Sequence, residues 1–175
     1  NKIGESWYAG ETLISGIGQG FVLTNPLQLA VMTSIIASNG KIVQPTILKN
    51  NKPNFEVSDK YLTEIKIIKN AMYKVVNESQ GTAFKSKLQD LIFAGKTGTS
   101  QVRRITISER ESDDFRKKDL EWKNKDHALF VGYMPHDDPH YAISVIIEHG
   151  GSGASTAAPI AKQIFNYINK IKIWF

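Results

Sequence analysis

The chain has 175 residues, of which 41% are hydrophobic, a net charge of +5 and no cysteine. This length and composition predict one folded domain, or part of one, and exclude a mainly disordered protein. The lack of cysteine excludes disulfides and cysteine-based catalysis, and no apolar run has the length of a membrane-spanning helix. The basic residues are scattered among acidic ones without an aromatic-interleaved stripe. A solvated, lysine-rich surface is therefore favoured over a nucleic-acid site.

Residues 7–22 form a glycine-rich apolar segment, WYAGETLISGIGQGFV. Glycines at alternate positions 16, 18 and 20 predict a strand or turn that approaches another backbone closely. A dinucleotide-binding fingerprint would need a glycine where Phe21 stands, so that interpretation is excluded.

The next segment carries the signals of a capped helix. Asn25 is the expected N-cap, Pro26 occupies the first helical position, Gln28 completes a capping box, and Gly40 follows the end. The small and apolar residues of this helix predict burial on more than one side, as in a core helix. The predicted stripe consists of Leu27, Ala30, Val31, Ser34, Ile35 and Ser38. Residues 41–49 then predict a strand interrupted at Pro45.

A second helix is predicted over residues 60–78, capped by Ser58 or Asp59. Its apolar residues recur at helical spacing: Tyr61, Ile65, Ile68, Met72 and Val76. The pattern breaks at Gly81, after which a short helix is expected to restart.

The second half predicts strands, a charged excursion and a closing helix. Residues 103–126 are almost wholly charged, which favours an exposed insertion with a short helix near 114–123 over a partner-binding patch. Residues 127–135 and 141–150 predict a hairpin. In the last helix an isoleucine face is expected to pack on the sheet, a membrane-surface helix being the alternative. That face consists of Ile160, Ile164, Ile168 and Ile171. The predicted fold class is α+β, an antiparallel sheet with helices packed on its faces.

Gly95-Lys96-Thr97 resembles the end of a phosphate-binding loop, but two features exclude that function. The loop needs its first glycine where Asp90 stands. It must also lead into a helix, whereas residues 96–102 are small or β-branched and predict a strand.

Two other clusters are better explained as turns. His136, Asp137, Asp138 and His140 are metal-ligand types, but they alternate with prolines between two predicted strands, as turn residues do, and we expect no metal. Residues 150–154 resemble a nucleophile elbow around Ser152, but Ala154 replaces the final glycine, and His149 is interpreted as a loop neighbour.

Lys96 stands among small and hydroxylic residues on a predicted edge strand. Such a strand exposes backbone N–H groups to which a peptide can add, and one of them can stabilise an oxyanion. The Thr97 and Thr99 hydroxyls are suited to a carboxylate, and the Lys96 ammonium supplies positive charge and can assist proton transfer. This pattern favours acyl transfer on a peptide. An ordinary strand with a surface lysine remains the alternative.

Several strings together carry a family resemblance. Lys96-Thr97-Gly98-Thr99 is similar to the K-T-G motif of penicillin-binding proteins and serine β-lactamases. The strings WYAGETLISGIGQGFVLTNPLQLAVMTSIIASNG, QGTAF, AGKTGTSQV, HALFVGYMP and VIIEHGGSGA resemble, in order and spacing, the C-terminal part of a class B transpeptidase domain. The resemblance is greatest to the elongation-type group, penicillin-binding protein 2, and covers residues 1–175 apart from the charged insertion.

The resemblance implies a bacterial enzyme of cell-wall synthesis, anchored at the periplasmic face of the inner membrane, that cross-links stem peptides by D,D-transpeptidation. A serine is acylated by a D-Ala-D-Ala donor or by a β-lactam. Lys96 would contact the serine of a second motif, Thr97 and Thr99 would bind the donor carboxylate beside Gly98, and the Thr99 N–H would form half of the oxyanion hole. No cofactor or nucleic acid is implied; cell-elongation proteins are implied partners.

The sequence departs from the family in one respect. The sequence contains no S-x-N motif, and its one match to S-x-x-K, the motif that carries the nucleophile, is Ser38-Asn39-Gly40-Lys41 at the predicted end of a helix, so neither family motif is assigned here. Both are expected upstream of Asn1, in the same protein, so this chain alone is expected to be inactive. A noncatalytic remnant or split half that acts as a binding module is the second hypothesis, and a β-lactam-hydrolysing or sensing relative is the third.

Overall fold

The computed structural model describes residue 4 and residues 6–48, 55–57, 60–102 and 121–171. The helices are α1 (Ala9–Gly16), α2 (Pro26–Ala37), α3 (Leu62–Asn77) and α4 (Ala158–Ile171). The strands are β1 (Lys41–Val43), β2 (Phe55–Val57), β3 (Ala94–Ser100), β4 (His127–Met134) and β5 (Tyr141–Ile147). Helices pack on both faces of an antiparallel sheet, so the predicted α+β architecture is confirmed.

The central sheet has the order β3-β4-β5, and both pairings are antiparallel. The predicted β4–β5 hairpin is confirmed, with Met134 opposite Tyr141. Within the described part of the chain β3 pairs with β4 alone, with Lys96 opposite Val131 and Thr97 opposite Phe130. The strand that carries K-T-G is therefore an edge strand, as predicted.

The larger core lies between the sheet and α4. Phe93 packs edge-on against Phe165 of α4, with 5.2 Å between ring centroids, and both rings are fully buried. The buried stripe of α4 is Ala158, Ala161 and Phe165. Ile160 and Ile168 border this core, whereas Ile164 and Ile171 are exposed, so the predicted isoleucine face is only partly correct. The small alanines allow the helix to approach the sheet closely around the buried Phe165 ring, which leaves Ile164 and Ile171 to one side of the contact.

The other face of the sheet carries α2 and α3. The capping box of α2 is confirmed, because the Asn25 side chain accepts from the Gln28 N–H at 2.9 Å and the Asn25 N–H donates to Gln28 Oε1. The predicted burial of α2 on more than one side is wrong for the described structure, in which Thr33 and Ala37 are its buried residues. Leu27 is 60% exposed, so its apolar side chain follows the helical period without facing the core.

In α3 the buried residues are Ile65, Met72 and Val76, as predicted, while Tyr61 and Ile68 are exposed. The expected caps of this helix, Ser58 and Asp59, lie outside the described residues. The predicted restart after Gly81 is confirmed as a short 3-10 helix at Phe84–Ser86.

Three other segments differ from the sequence-based predictions. The predicted strand within residues 7–22 is wrong, because helix α1 occupies Ala9–Gly16; the predicted turn follows, with φ of +76° at Gly18 and +77° at Gly20. Strand β2 was not predicted and pairs with β1, which ends before Pro45. Residues 103–120 of the charged insertion lie outside the described residues, and its end forms a 3-10 helix at Trp122–Asn124.

Candidate active site

The K-T-G segment lines a surface groove of about 320 Å³. One wall is the edge strand β3, and the other combines the turn after α1 with α2. The residues that line it are Ile17, Gly18, Gln19, Leu29, Met32, Lys96, Thr97, Gly98, Thr99, Ser100, Leu129 and Val131. The structure thus brings Lys96, Thr97, Gly98 and Thr99 together along one open strand edge. A groove beside an unpaired edge is the geometry that admits an extended peptide as an additional strand.

Strand alternation separates the functional side chains. Lys96 and Gly98 lie opposite Val131 and Leu129 and share the face that borders α2, because directly paired residues point to the same side of a sheet. The exposed Lys96 ammonium donates to the Thr97 carbonyl oxygen at 2.5 Å. Lys96 lines the groove, and its ammonium has three N–H donors, so it can also donate to a ligand there.

The Thr97 hydroxyl meets a second hydroxyl. Thr82 Oγ1 lies 2.8 Å from Thr97 Oγ1, and either oxygen can be the donor. Thr82 belongs to the turn that follows α3. Sequence reasoning did not single out Thr82, although it lies within the QGTAF string of the family resemblance.

Gln19 is the second residue that sequence reasoning missed. Its side-chain amide Nε2 donates to the Thr99 carbonyl oxygen at 3.0 Å. Gly18 and Gly20 flank it in the left-handed region of φ, which residues with a Cβ rarely adopt, so this turn depends on glycine. The signal was present in the GIGQG string, which was interpreted as a strand or turn approaching another backbone and as part of the family resemblance, without a role for Gln19.

Glycines allow tight packing behind the K-T-G segment. A Cβ at Gly153, the first residue of a π-helical turn before α4, would lie 2.3 Å from both the Gly98 and the Leu129 carbonyl oxygens. A Cβ at Gly95 would lie 2.2 Å from the Phe130 ring. The turn before α4 therefore rests directly on the backbones of β3 and β4, which holds the K-T-G strand in place.

The two clusters interpreted as turns have other contacts. His136 and Asp138 lie in the turn between β4 and β5, where His136 Nδ1 is 3.2 Å from the Tyr133 hydroxyl. Among the described residues, no three His, Cys, Asp or Glu side chains are grouped as a metal site requires. In the glycine-rich loop, His149 Nδ1 is 3.0 Å from the Lys125 carbonyl oxygen, so His149 is a loop neighbour as predicted.

The sequence profile of the penicillin-binding protein transpeptidase domain matches residues 1–166. The chain belongs to this family. The family assignment agrees with the resemblance derived from the K-T-G motif and its flanking strings. The roles of the individual site residues remain predictions.

Curated relatives place the chain within this transpeptidase family more narrowly. It is 34% identical to the peptidoglycan D,D-transpeptidase MrdA of Haemophilus influenzae, with 92% of this chain and 26% of the relative covered. It is 36% identical to MrdA of Acinetobacter baumannii, with 92% and 25% covered. The chain thus spans about a quarter of the length of the curated relatives it matches.

A solved structure gives the same assignment. The transpeptidase chain superimposes on penicillin-binding protein 2 of Helicobacter pylori, solved in complex with MreC, with a TM-score of 0.83 and 30% identity. The match covers 97% of this chain and 29% of that one. The predicted resemblance to penicillin-binding protein 2 is confirmed. No helix in the described ranges is long and apolar enough to cross a membrane.

Proposed function

We propose that this chain is the K-T-G-bearing, C-terminal part of a serine-type peptidoglycan D,D-transpeptidase that also binds β-lactams. The observation that carries the proposal is the K-T-G segment on an open strand edge beside a groove, in a chain of the transpeptidase family. In this proposal residues 1–175 are one portion of the domain, and residues 103–126 are an exposed insertion.

The proposed reaction has two steps. A serine hydroxyl attacks the carbonyl between the two D-alanines of a stem peptide, the terminal D-alanine leaves, and an acyl-enzyme forms. An amine of a stem peptide on a neighbouring peptidoglycan strand then attacks the ester carbonyl, forms the new amide bond and releases the serine hydroxyl. A β-lactam acylates the same serine by opening of its ring, so no metal or other cofactor takes part.

We propose a role for each K-T-G residue, which the groove supports. The Lys96 ammonium, which lines the groove, attracts the negatively charged donor peptide. It also assists proton transfer to and from the serine hydroxyl. The Thr97 and Thr99 hydroxyls bind the donor carboxylate, and Gly98 lets the peptide approach the strand closely. The Thr99 N–H stabilises the oxyanion of the tetrahedral intermediate.

In the proposal the nucleophile comes from outside this sequence, which has no S-x-N motif. Its one S-x-x-K match, Ser38-Asn39-Gly40-Lys41, lies at the C-terminal end of α2, where the Ser38 hydroxyl donates to backbone carbonyl oxygens and does not line the K-T-G groove. In the proposal the upstream part of the same protein supplies both motifs and anchors the enzyme at the periplasmic face of the bacterial inner membrane. Its peptide substrates are the D-Ala-D-Ala stem peptides, and its protein partners are membrane-bound cell-elongation proteins. The solved complex of a penicillin-binding protein 2 with MreC supports partners of this kind.

Labelling with a fluorescent penicillin tests the proposal in the longer protein that contains this chain. We expect a covalent band from the unaltered protein, and a Lys96→Met variant should be labelled about 100-fold more slowly, the scale of losing one catalytic proton-transfer or charge-stabilising group. Lys170→Met, at an exposed position in the last turn of α4, is the matched control and should be labelled at the unaltered rate.

The lack of an S-x-N motif, and of an S-x-x-K serine that lines the groove, favours one second candidate, a noncatalytic remnant or split half that binds peptides without acylation. A coding sequence with an in-frame S-x-x-K and S-x-N upstream supports the enzyme, whereas a stop codon supports the remnant. The longest protein encoded by the gene is then tested with both ligands. If it binds a D-Ala-D-Ala peptide reversibly and gives no covalent band with penicillin, it is a binding module.

A further inference from the structure

We infer that Thr82 is a positioning residue for the Thr97 hydroxyl and, through it, for the carboxylate of the stem peptide or β-lactam. The inference rests on the proposed function and adds a residue from outside the K-T-G motif to the donor site. Its structural basis is the contact of 2.8 Å between the two Oγ1 atoms.

The backbone around Thr82 is held from both sides. The Gly81 N–H donates to the Glu78 carbonyl oxygen at 2.9 Å, and the Ala83 N–H donates to the Val75 carbonyl oxygen at 3.0 Å. A Cβ at Gly81 would lie 2.2 Å from that Val75 oxygen, and Ala83 is buried in the core. The turn thus has one tight packing arrangement, which fixes the Cα of Thr82 relative to α3.

The partner hydroxyl is also on a fixed backbone. Thr97 is paired with Phe130 within the β3–β4 ladder, and Phe130 is fully buried. Two fixed Cα positions and β-branched side chains, which have few χ1 rotamers, leave little freedom for the two oxygens to separate. The hydroxyl pair therefore lies beside the groove, which Thr97 lines and Thr82 supports through its contact with Thr97 without lining it.

One of the two possible directions of this hydrogen bond leaves the Thr97 proton available to a ligand. A hydroxyl has one proton and two acceptor sites, so when Thr82 donates to Thr97 Oγ1, the Thr97 proton is directed away from Thr82. That proton can then be donated to a carboxylate beside β3, and a chain of two such bonds strengthens each member. Without the Thr82 hydroxyl, no hydrogen bond orients the Thr97 hydroxyl proton toward the carboxylate.

The experiment compares Thr82→Val and Thr82→Ser in the longer protein that contains this chain. From the concentration dependence of acylation by penicillin G, the pre-acylation dissociation constant and the limiting acylation rate are measured separately. We expect Thr82→Val to raise the dissociation constant about three- to tenfold, the scale of one hydrogen bond, and to leave the limiting rate within about twofold. Thr82→Ser retains the hydroxyl and should behave as the unaltered protein.

Penicillin G methyl ester, which lacks the carboxylate charge, separates a positioning role from a structural one. Thr82→Val should leave the dissociation constant of the ester unchanged. In a double-mutant cycle, Thr82→Val combined with Thr97→Val should bind penicillin G no more weakly than Thr97→Val alone. Thr63→Val, an exposed threonine in the first turn of α3, is the matched control and should change neither ligand.

Each outcome decides the inference. Unchanged affinity in Thr82→Val, equal losses for penicillin G and its ester, or additive effects in the cycle would overturn the role of Thr82 and leave the proposed function standing. If Thr82→Val unfolds, Thr82→Ser and Thr82→Ala are compared by the same two ligands, and a carboxylate-specific loss in the alanine variant alone supports the role. Absence of acylation in the unaltered protein overturns the proposed function itself, and this inference with it.

Discussion

Gly153 is a residue at which a single missing Cβ decides how the K-T-G strand is supported. Any side chain there would meet the carbonyl oxygens of Gly98 and Leu129, which belong to paired strands and have no room to rotate away. Backbone atoms yield less readily than the ends of flexible side chains, so the structure has to separate the π-helical turn from the sheet.

We therefore expect Gly153→Ala to lower the free energy of unfolding by about 2–3 kcal/mol, in the range of overpacked core substitutions. Gly10→Ala is the matched control, since a Cβ at Gly10 in α1 meets no atom within 4 Å. That control should be neutral or stabilise by up to about 1 kcal/mol, because alanine favours helix. Urea unfolding followed by circular dichroism measures both, and equal stabilities would contradict the packing explanation.

At this scale the sequence predicted the motif residues but not their neighbours. Lys96, Thr97 and Thr99 follow from a short motif whose members are adjacent in the chain. Gln19 and Thr82 contact that motif across 80 and 15 residues, respectively, and such contacts depend on how the elements pack. Their residue types alone carry no chemical signal, because glutamine and threonine are common at turns and surfaces.

Between elements, Lys69 joins α3 to the end of α2. Its ammonium donates to the Ala37 carbonyl oxygen and to Asn39 Oδ1, both at 2.9 Å, and lies 5.8 Å from the centroid of the buried Tyr133 ring. Burial lowers the pKa of Lys69, partly opposed by the negative charge of Asp137. The cation thus satisfies a helix C-terminus at the cost of some desolvation.

We expect Lys69→Met to destabilise the fold by about 1–2 kcal/mol, because it removes the two hydrogen bonds that the ammonium donates to the Ala37 carbonyl oxygen and to Asn39 Oδ1. Lys66→Met, an exposed position on the same helix, should stay within about 0.5 kcal/mol of the unaltered protein. Thermal unfolding at neutral pH distinguishes the two variants. A loss for Lys69→Met no larger than for Lys66→Met would show that the link between α2 and α3 is energetically unimportant.

Tyr133 links strand β4 to the pH dependence of stability. Burial, and secondarily the charge of Asp137, raises the pKa of Tyr133 to about 12. Since an unfolded tyrosine titrates near pH 10, the unfolded state loses this proton first, and stability falls as pH rises from about 10 to 12. Tyr133→Phe should show a shallower decline over that window in urea unfolding. Parallel declines for the two proteins would contradict a buried neutral phenol.

His136, which contacts the Tyr133 hydroxyl, affects stability at acidic pH. Burial, and secondarily the positive charge of Lys69, lowers the pKa of His136, while Asp137 opposes the shift. Because the unfolded state then binds this proton more readily, the contribution of His136 to stability falls as pH decreases below about 6.5. His136, whose ring lies 4.9 Å from that of Tyr73 in α3, thus contributes most to stability when it is neutral.

Helices and strands were predicted correctly where the apolar residues follow a single spacing and a capping or turn signal marks the boundary of the element. The β4–β5 hairpin and the capped helix α2 follow from alternation and from Asn25 with Pro26. It failed for α1, because glycines at positions 16, 18 and 20 were interpreted as strand spacing although they belong to a helix end and a turn. It also failed for the burial of α2, since apolar spacing does not show which side of a helix meets the sheet.

Considered as a whole, the chain contains a K-T-G strand beside a groove, and its one S-x-x-K match, Ser38-Asn39-Gly40-Lys41, does not line that groove. We therefore expect the chain expressed alone to give no covalent band with fluorescent penicillin, whereas the longer protein is labelled. Preincubation of the longer protein with unlabelled penicillin should abolish its band, which controls for nonspecific attachment. A specific band on the chain alone would show that a serine within residues 1–175 is the nucleophile.

The fold class was predictable at this scale because the order of helices and strands determines which layers can form. The arrangement of the groove was not, because it joins a turn near residue 19 to a strand near residue 97. These segments come together only when the elements pack, and that packing also places Gln19 and Thr82 in contact with the K-T-G strand.

The Gln19 contact has a further consequence for solubility. An exposed strand edge with its hydrogen-bonding groups unoccupied can pair with the edge of another molecule and start aggregation. By donating to the Thr99 carbonyl oxygen, the Gln19 side chain interrupts the row of acceptors along β3 without adding a strand. A side chain can be displaced by a peptide that offers more hydrogen bonds, so this edge is guarded against self-association while it remains open to a ligand.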